Sequence, residues 1–195
     1  MDNNLKIVNY LGKHIGELIN MHELSKAVKI PYATFYRTVQ RMDGIVNLRT
    51  IGKSRIVSLN IENDIIKSYL TISSGEEKKE FLKKHHVINK IASELDTDDV
   101  VVLFGSYAKG VEREGSDIDL LVINNKGNKS ISFSKYELLF RKKINPLFVT
   151  KSEFIQMLHD KEENVGKQAL KHNIILNNPE SFWEHVLHER LQKAI

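Results

Sequence analysis

The chain has 195 residues, 41% apolar and 28% charged, a composition that fits one or two compact domains. It contains no cysteine, so disulfides, thiolate metal sites and a cysteine nucleophile are excluded. The N-terminus lacks the apolar segment of a secretion signal, and no run approaches the roughly 20 apolar residues that cross a bilayer, so we expect a cytoplasmic protein without a membrane partner.

Positive charge is concentrated in the first third of the chain. Residues 1–61 carry nine lysines and arginines against four acids, a net charge of +5, whereas the remainder carries 20 against 21, a net charge of −1. A polyanionic partner would therefore meet the first third, and an ordinary solvated surface is the alternative interpretation.

Apolar spacing in this basic third predicts three short helices and a hairpin. Helical patterns cover residues 4–13, 21–29 and 32–42, and two β-rich runs, 45–51 and 54–61, flank a tight turn. This order of elements, with the phrase ELSKAVKIPYATFYRTVQRM, resembles the winged helix-turn-helix domains of prokaryotic regulators and places one over residues 1–61.

The resemblance implies that the third helix enters the major groove of DNA while the hairpin touches the flanking backbone. The residues expected to contact DNA lie on the third helix and on the wing: Thr34, Arg37, Thr38, Arg41, Arg49, Lys53 and Arg55. The same fold also serves as a protein-binding module. Winged-helix regulators commonly pair, so a homodimer is considered as well.

A second pattern predicts a strand that ends in a phosphate-sized turn. The apolar run DVVVLF, residues 99–104, ends at Gly105 and Ser106, after which a helix can begin. Glycine lets the backbone approach a phosphate, and the serine hydroxyl adds a donor. On the next predicted strand Asp117 and Asp119 share one face, where two carboxylates can hold a hard cation such as Mg²⁺.

The segment GSYAKGVEREGSDIDLLV resembles the signature of the nucleotidyltransferase superfamily related to DNA polymerase beta: a glycine-serine pair, ten residues, then Asp-x-Asp. The resemblance implies an α/β domain over residues 80–150 that uses Mg²⁺ to transfer a nucleoside monophosphate from a nucleoside triphosphate, chiefly ATP, to a hydroxyl group. Asp117 and Asp119 would hold the metal and carry catalysis, and Gly105, Ser106 and Lys109 would hold phosphates. Lys109 is alternatively an exposed loop cation, as is Arg113.

Active members of this family usually carry a third aspartate on the following strand. That strand is predicted at residues 144–150, where the alternating face offers Asn145 and Leu147, and neither is acidic. Asparagine can offer a carbonyl oxygen to magnesium but cannot act as a general base. Glu137 and Glu153 are nearby acids that sequence spacing does not place in the site.

The rest of the chain is predicted to be helical, which makes the whole an α+β protein. Residues 62–79 form a helical linker interrupted by Gly75, and a docking helix follows from about residue 80. Residues 151–195 form a helical C-terminal tail broken at residues 177–179. In that tail His185 and His188 could ligate a metal, but no third ligand is evident, so surface histidines are the prediction.

Two functions therefore remain open. The first is a transferase; small family members with similar spacing act as antitoxins that adenylylate a helical partner, which implies a toxin-like protein as acceptor. The second is a DNA-binding regulator whose transferase-like domain is catalytically degenerate and only senses nucleotide or mediates assembly. A transferase that represses its own operon combines both.

Overall fold

The structure is a computed structural model that describes the backbone of residues 1–193 and the side chains of residues 1–188. Helices and two sheets make it a mixed α+β protein, as predicted, and the chain divides into a first unit, of which Met1–Ser73 is the main part, and a second unit of Ser74–Glu189. Within the described part of the chain, every helix is too short or too polar to cross a membrane.

The first unit contains three short helices and a small antiparallel sheet. The helices are α1 (Asn3–Lys13), α2 (Met21–Ala27) and α3 (Tyr32–Gln40), and the strands, in the order β1-β3-β2, are β1 (Ile19–Asn20), β2 (Val46–Ile51) and β3 (Ser54–Leu59). The predicted helices and hairpin are present. The two-residue β1, which pairs with β3, is an addition too short to leave a periodic pattern in the sequence.

Helix α3 is fixed to this unit by one face only. Phe35 and Val39 are buried at 0% and 2% exposure, so the opposite face of α3 is open to solvent. Pro31 precedes the helix, where a residue without a backbone N–H costs nothing because the first amides of a helix lack intrahelical partners.

Helix α4 (Ile65–Leu82) runs for 18 residues without a break, which corrects the prediction that Gly75 interrupts it. Glycine inside a helix costs about 1 kcal/mol relative to alanine, and tertiary contacts on either side offset that cost. Ser74 accepts a hydrogen bond of 2.8 Å from the indole N–H of the buried Trp183, and Lys78 Nζ donates to the carbonyl of Leu176.

The second unit is built on a four-stranded mixed sheet in the order β6-β5-β4-β7. Its strands are β4 (Val100–Phe104), β5 (Ile118–Asn124), β6 (Ile144–Thr150) and β7 (Ile174–Asn177). Strand β5 pairs antiparallel with β4 and parallel with β6, and β7 pairs antiparallel with the other edge of β4. The side chains at the centre of β4 and β5, such as Leu103 and Leu120, are fully buried, so this sheet carries the core.

Six helices accompany this sheet: α5 (His86–Ser93), α6 (Gly105–Lys109), α7 (Ser134–Phe140), α8 (Lys151–His159), α9 (Val165–Lys171) and α10 (Pro179–Lys193). Strand β7 lies between α9 and α10, so the tail after residue 150 is not purely helical as predicted. Four residues are too few for a strand period, and a bulge in the β4–β7 pairing further obscures it. Residues 194 and 195 of the predicted tail lie outside the described residues.

The burial of α8 predicts that the segment after residue 150 is part of the core. Phe154 on α8 is 0% exposed and its ring lies 5.6 Å from that of Phe182. We expect Phe154→Ala to lower the free energy of unfolding by about 3–5 kcal/mol, because it leaves a cavity. The exposed Gln156→Ala on the same helix should change it by no more than about 0.5 kcal/mol. Urea unfolding followed by circular dichroism measures both, and equal effects would contradict the prediction.

Candidate active site

The turn after β4 brings the backbone against a carboxylate of β5. Gly105 opens α6 with φ of 71°, a left-handed conformation that side chains disfavour. A Cβ atom at this position would lie 3.1 Å from Cγ of Asp119 and would overlap its Oδ2. Only glycine therefore permits this close approach, which follows from the pairing of Phe104 with Asp119 in the β4–β5 ladder.

Three side chains meet beside this turn. Asp117 directly precedes β5, Asp119 lies two residues further on, and Asn145 is the register partner of Asp119 on the parallel strand β6. The Asn145 amide donates to Oδ2 of Asp117 at 3.1 Å and to Oδ1 of Asp119 at 3.3 Å. The predicted carboxylate pair thus shares one face, and Asn145 stands where the third aspartate of the family was expected.

The surroundings of Asp117 favour its ionised form. The hydrogen bond from Asn145 lowers the pKa of Asp117 below its ordinary value of 3.8, and although partial burial opposes this shift, the ammonium of Lys143 at 3.4 Å adds to it. The carboxylate therefore stays charged at neutral pH. Lys143, which directly precedes β6 and so reaches the same edge of the sheet, was not predicted from the sequence.

The donor set fits Mg²⁺ only when a substrate completes it. No group of three or more histidine or acidic side chains suited to a metal occurs among the described residues. Magnesium, however, is usually held by one or two carboxylates together with water and substrate phosphates. If the side-chain amide of Asn145 rotated by 180°, its oxygen instead of its nitrogen would face the two carboxylates. That oxygen would be a neutral metal ligand beside Asp117 and Asp119.

The two other acids considered from the sequence have structural tasks. Glu137 accepts a hydrogen bond from the backbone N–H of Ile144 at 2.9 Å, which fixes the start of β6. Glu153 accepts from the backbone N–H of Thr150 at 2.7 Å and forms a capping box at the start of α8. Neither of these carboxylates has a hydrogen bond to the Asp117–Asp119 pair.

The loop between the two halves of the motif is held at two positions, Glu112 and Glu114. His85 lies 3.0 Å from the Glu112 carboxylate, and Lys142 donates to the carbonyl of Glu114 at 2.7 Å. Ser106 is half-buried in the first turn of α6, and Lys109 is exposed at the end of the same helix. Arg113 is exposed in the loop.

The residues of the first unit that were predicted to contact DNA differ in their exposure to solvent. Arg37 and Arg41 are exposed, whereas Thr34 and Thr38 are half-buried and the Thr38 hydroxyl donates to the Thr34 carbonyl at 2.9 Å. That internal bond occupies the donor of the Thr38 hydroxyl. Tyr36 on the same helix is exposed, which the sequence did not predict because aromatic residues at helical spacing are more often part of a core.

The arginines of the hairpin lie on opposite faces. Arg55 pairs with Thr50 and its guanidinium lies 3.4 Å from the Tyr36 hydroxyl, beside α3. Arg49 pairs with Ile56 on the other face, and it lines a cavity of about 330 Å³ with Glu17 and other residues. Lys53 is exposed in the turn between the strands. The contacts thus associate Arg55 with α3, while Arg49 faces away from it.

The histidine pair of the tail forms no metal site in the described part of the chain. His185 is half-buried with Nδ1 lacking a hydrogen-bond partner, and burial lowers its pKa, so its ring is neutral at neutral pH. His188 is exposed.

Comparison with known proteins agrees with this geometry. A family model described as a nucleotidyltransferase domain matches residues 85–187, more than half of the chain, and the chain belongs to this family. It is also similar to a protein of Methanocaldococcus jannaschii that is provisionally named a protein adenylyltransferase, with 43% identity over 60 residues. That match covers 31% of this chain and 56% of the relative, so the chain spans about half the length of that protein. No solved structure matches.

Two glycines of the motif provide a matched test of the close approach between the Gly105 backbone and the Asp119 side chain. Gly105 and Gly110 both have positive φ, 71° and 68°, but only at Gly105 would a Cβ meet another group. We expect Gly110→Ala to cost about 1–2 kcal/mol of unfolding free energy from backbone strain, and Gly105→Ala about 1–3 kcal/mol more from overlap with Asp119. Chemical denaturation of both variants measures the difference, and equal losses would contradict the geometry.

Proposed function

We propose that this protein is a Mg²⁺-dependent nucleotidyltransferase that moves a nucleoside monophosphate, AMP from ATP in the first instance, to a hydroxyl group of a protein. The observation that carries the proposal is the approach of the Gly105 turn to the carboxylate of Asp119, which the Asn145 amide joins to the carboxylate of Asp117. The name of the archaeal relative supports adenylyl transfer and a protein acceptor. A helical, toxin-like protein is the acceptor class that the sequence pattern favours.

Each part of the site has a task in this reaction. The turn at Gly105 and Ser106 would hold the triphosphate, with Lys109 offsetting its charge, and Asp117 and Asp119 would hold the metal. Bound Mg²⁺ supplies charge compensation as pyrophosphate leaves. The acceptor oxygen forms a bond to the α-phosphorus while the bond to pyrophosphate breaks, and the hydroxyl proton must leave to a base.

Asn145 supports a second candidate function. Its amide occupies the position where a carboxylate could take the hydroxyl proton, and an amide cannot do so at neutral pH. The alternative is a regulator whose transferase-like domain binds nucleotide as a sensor or mediates assembly without efficient transfer. Transfer and sensing both require nucleotide at the same site and differ in turnover, whereas a domain that only mediates assembly requires no nucleotide.

We also propose that residues 1–61 form a winged-helix domain that binds DNA. Support comes from the order α1-β1-α2-α3-β2-β3, from the net charge of +5, and from the exposed Arg37, Arg41 and Arg55. A cytoplasmic transferase that represses its own operon, as a homodimer on a palindromic site, is the combined function that we favour.

Calorimetry with Mg²⁺ and each nucleoside triphosphate tests the site without a known acceptor. We expect ATP to bind only with Mg²⁺, and the double variant Asp117→Ala, Asp119→Ala to lose that binding. Ser152→Ala, an exposed change on α8, is the control for folding. Absence of binding at millimolar nucleotide would contradict both transfer and nucleotide sensing, and would leave a degenerate domain that only mediates assembly.

The variant Asn145→Asp separates the two candidates. Transfer from α-labelled ATP, measured with the product of the neighbouring gene as acceptor, should rise about 100-fold or more if a missing general base limits the rate. Labelling by the wild-type chain supports the transferase. If the wild type transfers nothing and Asn145→Asp restores transfer, the degenerate regulator is supported instead.

Duplex DNA retention at low salt tests the winged-helix proposal. Binding should weaken steeply as salt rises, and Arg37→Ala with Arg41→Ala should reduce the slope of log K against log salt by about 2, since each phosphate contact contributes about 0.9. Removing the same charge from the second unit with Lys126→Ala and Lys161→Ala should leave the slope unchanged. No retention of any duplex at low salt would refute DNA binding.

A further inference from the structure

The solvent face of α3 carries two parallel rows of side chains. Residues four apart on a helix lie above one another, so exposed positions repeat along each row. The first row is Tyr32, Tyr36 and Gln40, and the second is Ala33, Arg37 and Arg41. All six residues are exposed, whereas Thr34 and Thr38 are turned partly inward.

The two tyrosines of the first row are exposed yet held in place. Tyr32 and Tyr36 are 46% and 37% exposed, which is high for large side chains on one short helix. The Tyr36 hydroxyl lies 3.4 Å from the Arg55 guanidinium, and the Tyr32 ring lies 5.7 Å from that of His22 and 6.5 Å from that of Tyr36. Exposed aromatic surface of this kind commonly marks an interaction site.

These residue types match the chemistry of A·T base pairs in the major groove. Glutamine can bond both N6 and N7 of adenine, and apolar side chains contact the C5 methyl group of thymine. An α-helix with its side chains is about 10–12 Å in diameter, so α3 fits the major groove, which is about 12 Å wide. The neighbouring Arg37, Arg41 and Arg55 supply the positive charge that the phosphates require.

We propose that α3 recognises duplex DNA with an A·T-rich core. In this complex Tyr32, Tyr36 and Ala33 contact thymine methyl groups and Gln40 bonds an adenine, while Arg37 and Arg41 contact phosphates. The inference rests on the proposed DNA binding of residues 1–61 and adds the base pairs that it selects.

Stacking on unpaired bases is the competing use of an aromatic and basic surface. Such stacking needs an open ring face. The Tyr32 ring has three aromatic neighbours, those of His22, Phe35 and Tyr36, all within 6.5 Å. These neighbours leave Tyr32 46% exposed, so stacking on a single strand is the competing outcome that the binding test separates from contact with thymine methyl groups.

The test is binding-site selection from random duplex DNA, followed by replacement of each thymine in the selected site with uracil. Uracil pairs like thymine but lacks the methyl group, so affinity should fall about fourfold for each contacted methyl, the equivalent of about 0.8 kcal/mol. The variant Tyr36→Ala should lose the preference for thymine over uracil at the position that Tyr36 contacts and keep it at the positions that Tyr32 and Ala33 contact. Tyr36→Phe should keep the preference, and Arg37→Ala should weaken binding to both sites by the same factor.

Each outcome decides a different point. Selected sites without A·T enrichment, or equal affinity for thymine and uracil sites while duplex DNA is still retained, would overturn this inference alone. Tighter binding of the single strand than of the duplex would overturn it in favour of base stacking. No retention of any duplex would refute the proposed DNA binding itself, and the inference with it. Thermal unfolding of each variant confirms that these exposed changes leave the fold intact.

Discussion

The parallel register between β5 and β6 is the constraint on which the site depends. It places Asn145 opposite Asp119, so that one amide bridges two carboxylates that would otherwise repel each other. Because side chains alternate across a sheet, a slip of one residue would turn Asn145 to the other face and separate it from both acids. The antiparallel pairing with β4 then sets the Gly105 turn against the same carboxylate. Two ladders and one glycine thus determine the geometry together.

The sequence predicted the parts of the site that depend on local pattern. The strand before Gly105, the shared face of Asp117 and Asp119, and the position of Asn145 all follow from a period of two and a turn residue. Lys143 could not be predicted, because its contact with Asp117 depends on how β6 enters the sheet. The continuity of α4 through Gly75 likewise depends on a distant partner, the indole of Trp183. At Lys143 and at Gly75, contacts with residues distant in the sequence decide the structure, and local sequence preference does not.

The first unit illustrates the same division between pattern and packing. Its helices and hairpin follow from the spacing of apolar residues, including the buried Phe35 and Val39 of α3. The rotation of α3 about its axis decides which of its polar residues face solvent. In the structure Thr34 and Thr38 are half-buried, whereas Tyr32 and Tyr36 are exposed. The opposite faces of Arg49 and Arg55 follow from strand register, which composition alone does not show.

Strand β7 has a consequence for the order in which the protein folds during synthesis. Residues 1–73, which make up most of the first unit, emerge first, and domains generally fold as units as the chain leaves the ribosome. Strand β4, in contrast, lacks its partner on one edge until residues 174–177 have emerged, about 70 residues later. Until then a row of amides and carbonyls on an apolar strand is open to wrong partners. The residues that emerge first are thus followed by a second unit whose sheet is completed last. A ribosome paused before residue 174 would leave the open edge of β4 exposed for longest.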